Sequence, residues 1–191
     1  MKVTKTNIEG VLIIEPQLFE DSRGYFFESF NAREFATQTG IETHFIQDNE
    51  SRSAEGVVRG LHFQLPPHAQ SKLVRVIEGA ILDIAVDIRR GSPTFGQHVA
   101  VELTGENHRQ LFIPRGFAHG FIVKRGDAIV QYKCDNLYAP AAERAIRWDD
   151  KSLAIDWGYD LSRITLSDKD AINPTLEECD TLFDYNTDYY A

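Results

Sequence analysis

Apolar and polar residues alternate with a period of two through the middle of the chain. The pattern is clearest where Leu82, Ile84, Val86 and Ile88 share one face while Asp83, Asp87 and Arg89 occupy the other. It predicts a strand half buried against a core. Similar short strands are predicted at 99–103, 110–113, 120–123 and 128–134, with turn signals at Glu78-Gly79 and Arg125-Gly126-Asp127 between them. Residues from about 55 to 150 therefore read as all-β. Many short antiparallel strands without a β-α-β rhythm favour a sandwich or barrel over a doubly wound sheet, and a jelly roll is the expected form.

Two breaks in this rhythm predict helices. Asn31 with Glu34 three residues on is a cap signal, Phe30 and Phe35 are placed as a hydrophobic staple, and Gly40 is placed to end the helix. A second helix is expected from Ser167 or Asn173, because Pro174 suits a first turn and Leu176, Cys179 and Leu182/Phe183 fall at helical spacing. Beyond it, residues Asp184 to Thr187 are expected to be loosely held. No repeat, low-complexity tract or linker divides the chain, so residues 1–191 are expected to form one domain, with a β core at about 55–150 and a helical segment at about 167–183.

Composition narrows the partners. A chain of 191 residues with 42% apolar side chains can bury a substantial core. A formal net charge of −9 and no Lys/Arg run argue against a nucleic acid, although a few basic residues can still focus positive potential for a small anion in a cleft. The stretch Met1 to Asn7 lacks the apolar core of a signal peptide, and no run of about 18 apolar residues exists to cross a bilayer, so the expectation is a cytoplasmic protein with no membrane partner. Two cysteines, Cys134 and Cys179, are too few for a disulfide framework and are expected to be reduced thiols.

Chemistry concentrates in Arg59-Gly60-Leu61-His62-Phe63-Gln64, followed by His68 and Lys72. Regular alternation would send Arg59 and His62 to opposite faces. Both can line one cavity only if the strand is bulged, and Gly60 is a suitable position. Spacing alone favours a hydrogen-bonded sheet histidine over a chemical role for His62. Four histidines, His62, His68, His108 and His119, raise the alternative of a metal site. None has a second histidine within two to four residues, which argues against a metal. His119, in a Gly-bounded turn, reads as either a ligand contact or a packing side chain. Tyr132 alternates with Val130 and Cys134 and reads as interior-facing, so its hydroxyl needs a partner if buried. Asp170, three residues after Ser167, is equally a helix-capping carboxylate, and Arg23 and Glu28 are equally ordinary hairpin charges.

The ordered set of Asp21 to Ser29, Gln47-Asp48-Asn49, Arg59 to Gln64, Lys72 to Val76, Ser92 to Gly96 and Ile113 to Phe121 goes further. Together with Tyr132-Lys133, Tyr138-Ala139-Pro140, Ile155-Asp156-Trp157 and Leu166 to Asp170, it resembles the dTDP-4-dehydrorhamnose 3,5-epimerase family from about residue 5 to 176. The resemblance implies a cupin-like jelly roll, a homodimer, no metal or other cofactor, and a dTDP-4-keto-6-deoxyhexose substrate in dTDP-L-rhamnose synthesis. Position by position it implies His62 as base, Asp170 as its orienting carboxylate, Tyr132 as proton donor and Lys72 as the cation stabilising an enolate. Ligand contacts would fall on Arg23, Glu28, Gln47, Asn49, Arg59, His119, Glu143 and Lys169, with Tyr138 or Phe26 stacking on the base. The chain departs from the family pattern at Ser71, where glycine usually precedes the lysine, and in the tail beyond about Leu176. Two competing readings are a relative that epimerises only one carbon or isomerises the ketone, and a cupin that binds a sugar nucleotide without turnover. A metal-dependent cupin oxygenase is a third.

Overall fold

The computed structural model describes residues 1–190. In chain order its strands are β1 (Lys2–Lys5), β2 (Leu12–Glu15), β3 (Phe19–Asp21), β4 (Gly24–Phe26), β5 (Gln47–Ser53), β6 (Val58–Gln64) and β7 (Lys72–Asp87), followed by β8 (Arg89–Arg90), β9 (His98–Thr104), β10 (Gln110–Ile113), β11 (Phe117–Cys134), β12 (Glu143–Ala145) and β13 (Phe183–Asp184). The α-helix α1 (Ala32–Thr39) lies between β4 and β5. The expected mainly β, cupin-like architecture is what forms, as a sandwich rather than a closed barrel.

Two long strands build both layers. The first part of β7 pairs with β10 and with the end of β11, whereas its second part pairs with β9 and with the start of β11. The strands predicted at 120–123 and 128–134 are thus one strand with a bend. Register shifts between Val123 and Arg125 and between Arg125 and Ile129 mark that bend. Opposite it, Gly79 has φ +82°, and a Cβ there would lie 2.3 Å from the Asp127 carbonyl oxygen, so only glycine fits. One layer then runs β1-β2-β10-β7-β11-β5 and the other β9-β7-β11-β6-β12, joined through β7 and β11.

Three apolar clusters hold the sandwich. Val74, Val76, Ile81, Ala85, Leu111, Phe121 and Val130 fill the space between the layers. Helix α1 covers the outside of the first layer with Phe35 against Leu12, Leu73 and Phe112. The helix forms as its caps predict: Asn31 accepts the Glu34 N–H, Phe30 and Phe35 rings lie 5.8 Å apart, and Gly40 at φ +72° returns its N–H to Ala36.

On the second layer the alternation of residues 82–88 is real, but both faces are buried. Ile84, Val86 and Ile88 pack outward against Trp157, Leu176 and Phe183, and the face carrying Asp83 and Ala85 points between the layers. The apolar face therefore marks the side covered by the C-terminal segment, and the polar face marks the interior.

That segment also corrects the expected second helix. A single 3₁₀ turn, Asp170–Ile172, takes its place. Tertiary partners claim the backbone groups a helix would need: Asp150 accepts the Leu176 N–H at 2.6 Å, and the Pro174 carbonyl accepts the Arg147 N–H at 2.8 Å. Residues 184–187 are not loose either. Asp184 lies in β13, parallel to β8, and the Tyr185 N–H donates to the Arg90 carbonyl at 3.0 Å.

Candidate active site

The site opens at one end of the sandwich, where β5, β6, β7 and β11 meet. Alternation on β7 turns Lys72 inward beside inward Val74, and on β11 it turns Tyr132 inward beside Val130. On β6 the bulge anticipated at Gly60 is present. His62 stands opposite His119 and Arg59 opposite Phe121, so three steps on β6 match two on β11. Gly60 has φ +128°, and a Cβ would lie 2.5 Å from Gly120 Cα. The bulge puts Arg59 and His62 on the same inward side.

These strands enclose a cavity of about 320 Å³ lined by Gln47, Asn49, His62, Phe63, Gln64, Gln70, Lys72, Tyr132, Tyr138 and Glu143. His62 Nε2 is 2.6 Å from Asp170 Oδ1. Asp170 is buried at 4% exposure. Burial would raise its carboxyl, but hydrogen bonds from His62, Ser167 and the Gly60 N–H outweigh that and hold it below the ordinary value. An ionised Asp170 keeps the proton on the imidazole nitrogen that faces it, leaving the other nitrogen as a free base. Across the cavity the Tyr132 hydroxyl is pushed upward by burial and by Cys134 and Glu143, with Arg59 opposing, so it holds its proton. Lys72 Nζ lies 5.8 Å from the Tyr132 ring centroid. Burial lowers the Lys72 ammonium, while Cys134, Asp83 and Glu143 favour its charge through space.

A second carboxylate–imidazole pair stands behind these groups. His119 Nε2 is 2.7 Å from Asp83 Oδ1, with Asp83 fully buried and its Oδ2 lacking a hydrogen-bond partner among the described residues. Burial lowers His119, against the pull of Asp83. Asp83 was not singled out from the sequence, because its place on the polar face of an alternating strand reads as solvent-facing. Its only sequence signal was an acidic residue in a run otherwise apolar enough to be buried on both sides.

At the rim, the Tyr138 hydroxyl donates to Glu143 Oε2 at 2.9 Å, Lys169 pairs with the same carboxylate, and the Tyr138 N–H donates to Gln47 Oε1 at 2.8 Å. The Arg59 Nε–H donates to Ser53 Oγ. Arg23 and Glu28 are not in this cavity. Arg23 is held by Asp21 on the exposed β3–β4 hairpin, and Glu28 lines a separate cavity near α1. His68 and His108 do not join His62 and His119, and among the described residues no three His, Cys, Asp or Glu side chains converge as metal ligands. No helix of the described residues is long and apolar enough to cross a membrane.

Comparison with known proteins agrees with this architecture. The family model described as dTDP-4-dehydrorhamnose 3,5-epimerase matches residues 5–178. The chain is 53% identical over 170 residues to the dTDP-4-dehydrorhamnose 3,5-epimerase of Shigella flexneri, spanning 89% of this chain and 93% of that protein. It is 50% identical over 178 residues to the Escherichia coli K12 protein of the same name, spanning 93% and 96%. Among solved structures, the dTDP-6-deoxy-D-glucose-3,5-epimerase of Legionella pneumophila, in complex with dTDP-4-keto-L-rhamnose, superposes with a TM-score of 0.94 at 47% identity, covering 97% of this chain and 99% of that one. With a matching model over most of its length and relatives near half identity across nearly all of theirs, the chain belongs to the dTDP-4-dehydrorhamnose 3,5-epimerase family.

Proposed function

We propose that this cavity inverts C3 and C5 of dTDP-4-dehydro-6-deoxy-D-glucose, giving dTDP-4-dehydro-L-rhamnose, with His62 as base, Lys72 as enolate-stabilising cation and Tyr132 as acid. The observation that carries the reading is a carboxylate-oriented imidazole, a half-buried lysine and a protonated tyrosine around one cavity. A C–H beside a ketone is weakly acidic and becomes removable when the developing oxyanion meets a preplaced positive charge. His62 takes the proton, and the C–H electron pair moves into a carbon–carbon double bond as the keto oxygen becomes an enolate facing Lys72. Collapse of the enolate draws the Tyr132 proton onto the opposite face of the same carbon. The tyrosinate and imidazolium then exchange with solvent, and the cycle repeats at the second carbon. Asp170 orients His62, and Asp83 with His119 supports the positive end of the cavity. Tyr138, 53% exposed at the rim, would stack on the thymine in this reading, with Gln47, Asn49, Arg59, Glu143 and Lys169 as further contacts.

The test is NMR of dTDP-4-keto-6-deoxyglucose in deuterated water. Deuterium at both C3 and C5 is the expected result. Uptake at one carbon would replace this reading with a single-site epimerase, and no uptake would leave a binding protein.

The homodimer is a further part of this proposal, and the β3–β4 hairpin supports it. Arg23 and the aromatic rings of Phe19, Tyr25 and Phe26, the rings at 61%, 58% and 66% exposure, line no part of the cavity of their own chain, where Tyr25 packs on Phe27 and His108. A second copy would cover them and receive Arg23 at its diphosphate, where an arginine fork suits two-point phosphate contact. Arg23→Ala is then expected to raise KM about tenfold with kcat nearly unchanged, and activity per subunit should fall on dilution below the dimer dissociation range. Sedimentation-coupled assays finding a fully active monomer would rule this out.

A further inference from the structure

We infer that Tyr190 is a positioning residue for Lys72, acting through a hydrogen bond to Ser71 from a C-terminal tail that lies outside the residues matched by the family model. The inference rests on Lys72 being the cation that meets the enolate.

The tail is fastened along its length. Arg90 donates to the Cys179 carbonyl at 3.1 Å, and β13 pairs with β8. Tyr189 packs edge-on against Phe183 with centroids 4.9 Å apart, and its hydroxyl accepts the Asp184 N–H at 2.6 Å. These contacts deliver Tyr190 to the back of the first layer. Its ring is half exposed, but its hydroxyl lies 2.7 Å from the Oγ of fully buried Ser71 and accepts the Arg115 N–H at 3.1 Å. With one lone pair given to that N–H, the tyrosine proton is free to bond Ser71.

Ser71 is held on every polar group it has. Its N–H donates to Asp135 Oδ1 at 2.6 Å, and its carbonyl accepts the Asp135 N–H at 3.3 Å. Arg115 closes the ring: its Nε–H donates to Asp135 Oδ2 at 3.1 Å, another N–H donates to the Tyr189 carbonyl, and the guanidinium lies 5.0 Å from the Tyr190 ring centroid.

The place of this network in the fold gives it a catalytic consequence. Ser71 immediately precedes Lys72, the first residue of β7 and the last rung of its ladders to Cys134 and Ile113. A strand end frays first, and the network braces the chain just beyond that rung, next to the Gln70 side chain, which donates to the Asn136 carbonyl at 2.8 Å. By alternation Ser71 turns to the back of the layer while Lys72 turns into the cavity, so a grip on Ser71 sets the height and angle from which the lysine stem starts. A displacement of about 1 Å in a catalytic group can cost two orders of magnitude in rate, which makes the fixing of this backbone consequential.

The experiment compares full-length wild type, Tyr190→Phe, Ser71→Ala, the double variant and Lys72→Met, measuring kcat, KM, deuterium uptake and Tm. Each single latch variant is expected to lower kcat by about tenfold with KM within about twofold, because substrate contacts are untouched while the transition-state contact is misplaced. The double variant should be no slower than the slower single, since one hydrogen bond is lost in all three. An unchanged kcat in Tyr190→Phe beside an inactive Lys72→Met would overturn the latch alone, as would multiplicative losses or a kcat that merely tracks the folded fraction. Wild-type uptake in Lys72→Met would instead remove the reading of Lys72 beneath it.

Discussion

Replacing His62 by asparagine is expected to abolish deuterium uptake at C3 and C5 together, with kcat lower by about a thousandfold or more, in line with loss of a general base. One imidazole faces the cavity with a carboxylate behind it, so neither carbon has a second base of that kind to fall back on. His119 does not replace it: it is 6% exposed, turned toward Asp83, and absent from the cavity wall. Asp170→Asn keeps the shape but loses the charge that fixes the imidazole, and about a ten- to hundredfold loss is expected. The same variant carries a stability signature. Hydrogen bonding holds the folded Asp170 carboxyl below its ordinary 3.8, so the unfolded chain binds this proton first as pH falls. The stabilisation is present above the unfolded value and disappears as pH drops through the folded one. Thermal melts of wild type and Asp170→Asn should therefore converge in acid. Equal uptake in wild type and His62→Asn would sink the assignment.

How much of this was legible beforehand depends on what each residue had to say locally. Helix α1 announced itself because its caps are local chemistry. The bulge at Gly60 was legible for a similar reason: two chemical residues three apart on one strand cannot share a cavity without an extra residue, and only glycine tolerates the approach of Gly120. Strand β5 was invisible. Its sequence Gln47 to Ser53 is polar at every position, so hydrophobic alternation has nothing to report, yet pairing with β11 places Asn49 beside Tyr132. Asp83 was misread by the opposite error. Its strand alternates well, but the apolar face is covered by the C-terminal segment, and the face that looked solvated is the floor of the site. The tail from Leu176 to Tyr190 was unreadable because arginines and a carboxylate far away in the chain, Arg90, Arg115 and Asp150, determine its path. The tertiary partners that overrode helical spacing there are the ones that bring Tyr190 to Ser71.

Lys72→Met should remove nearly all uptake while leaving Tm no lower than wild type, because this lysine is kept charged against its surroundings. Burial outweighs the attraction of Asp83, Cys134 and Glu143 and holds the Lys72 ammonium below its ordinary 10.5. A lysine lowered on folding makes the native state bind fewer protons than the unfolded chain between the two values, so wild-type stability rises with pH through that window. Methionine fills much of the same volume and carries no charge to desolvate, so the variant should lack that rise and gain at neutral pH what the wild type shows only in alkali. Activity runs the other way. The enolate needs the charged form, so the wild-type rate should fall as pH rises through the lowered Lys72 value, before an ordinary lysine would discharge. Tyr132 moves upward from 10.0 and keeps its proton longer. The residual rate of Tyr132→Phe should therefore retain the wild-type alkaline limb, measured by uptake at either carbon across the pH range. If the limb vanishes with the tyrosine hydroxyl, it belongs to Tyr132, and Lys72 acts by placement rather than by charge.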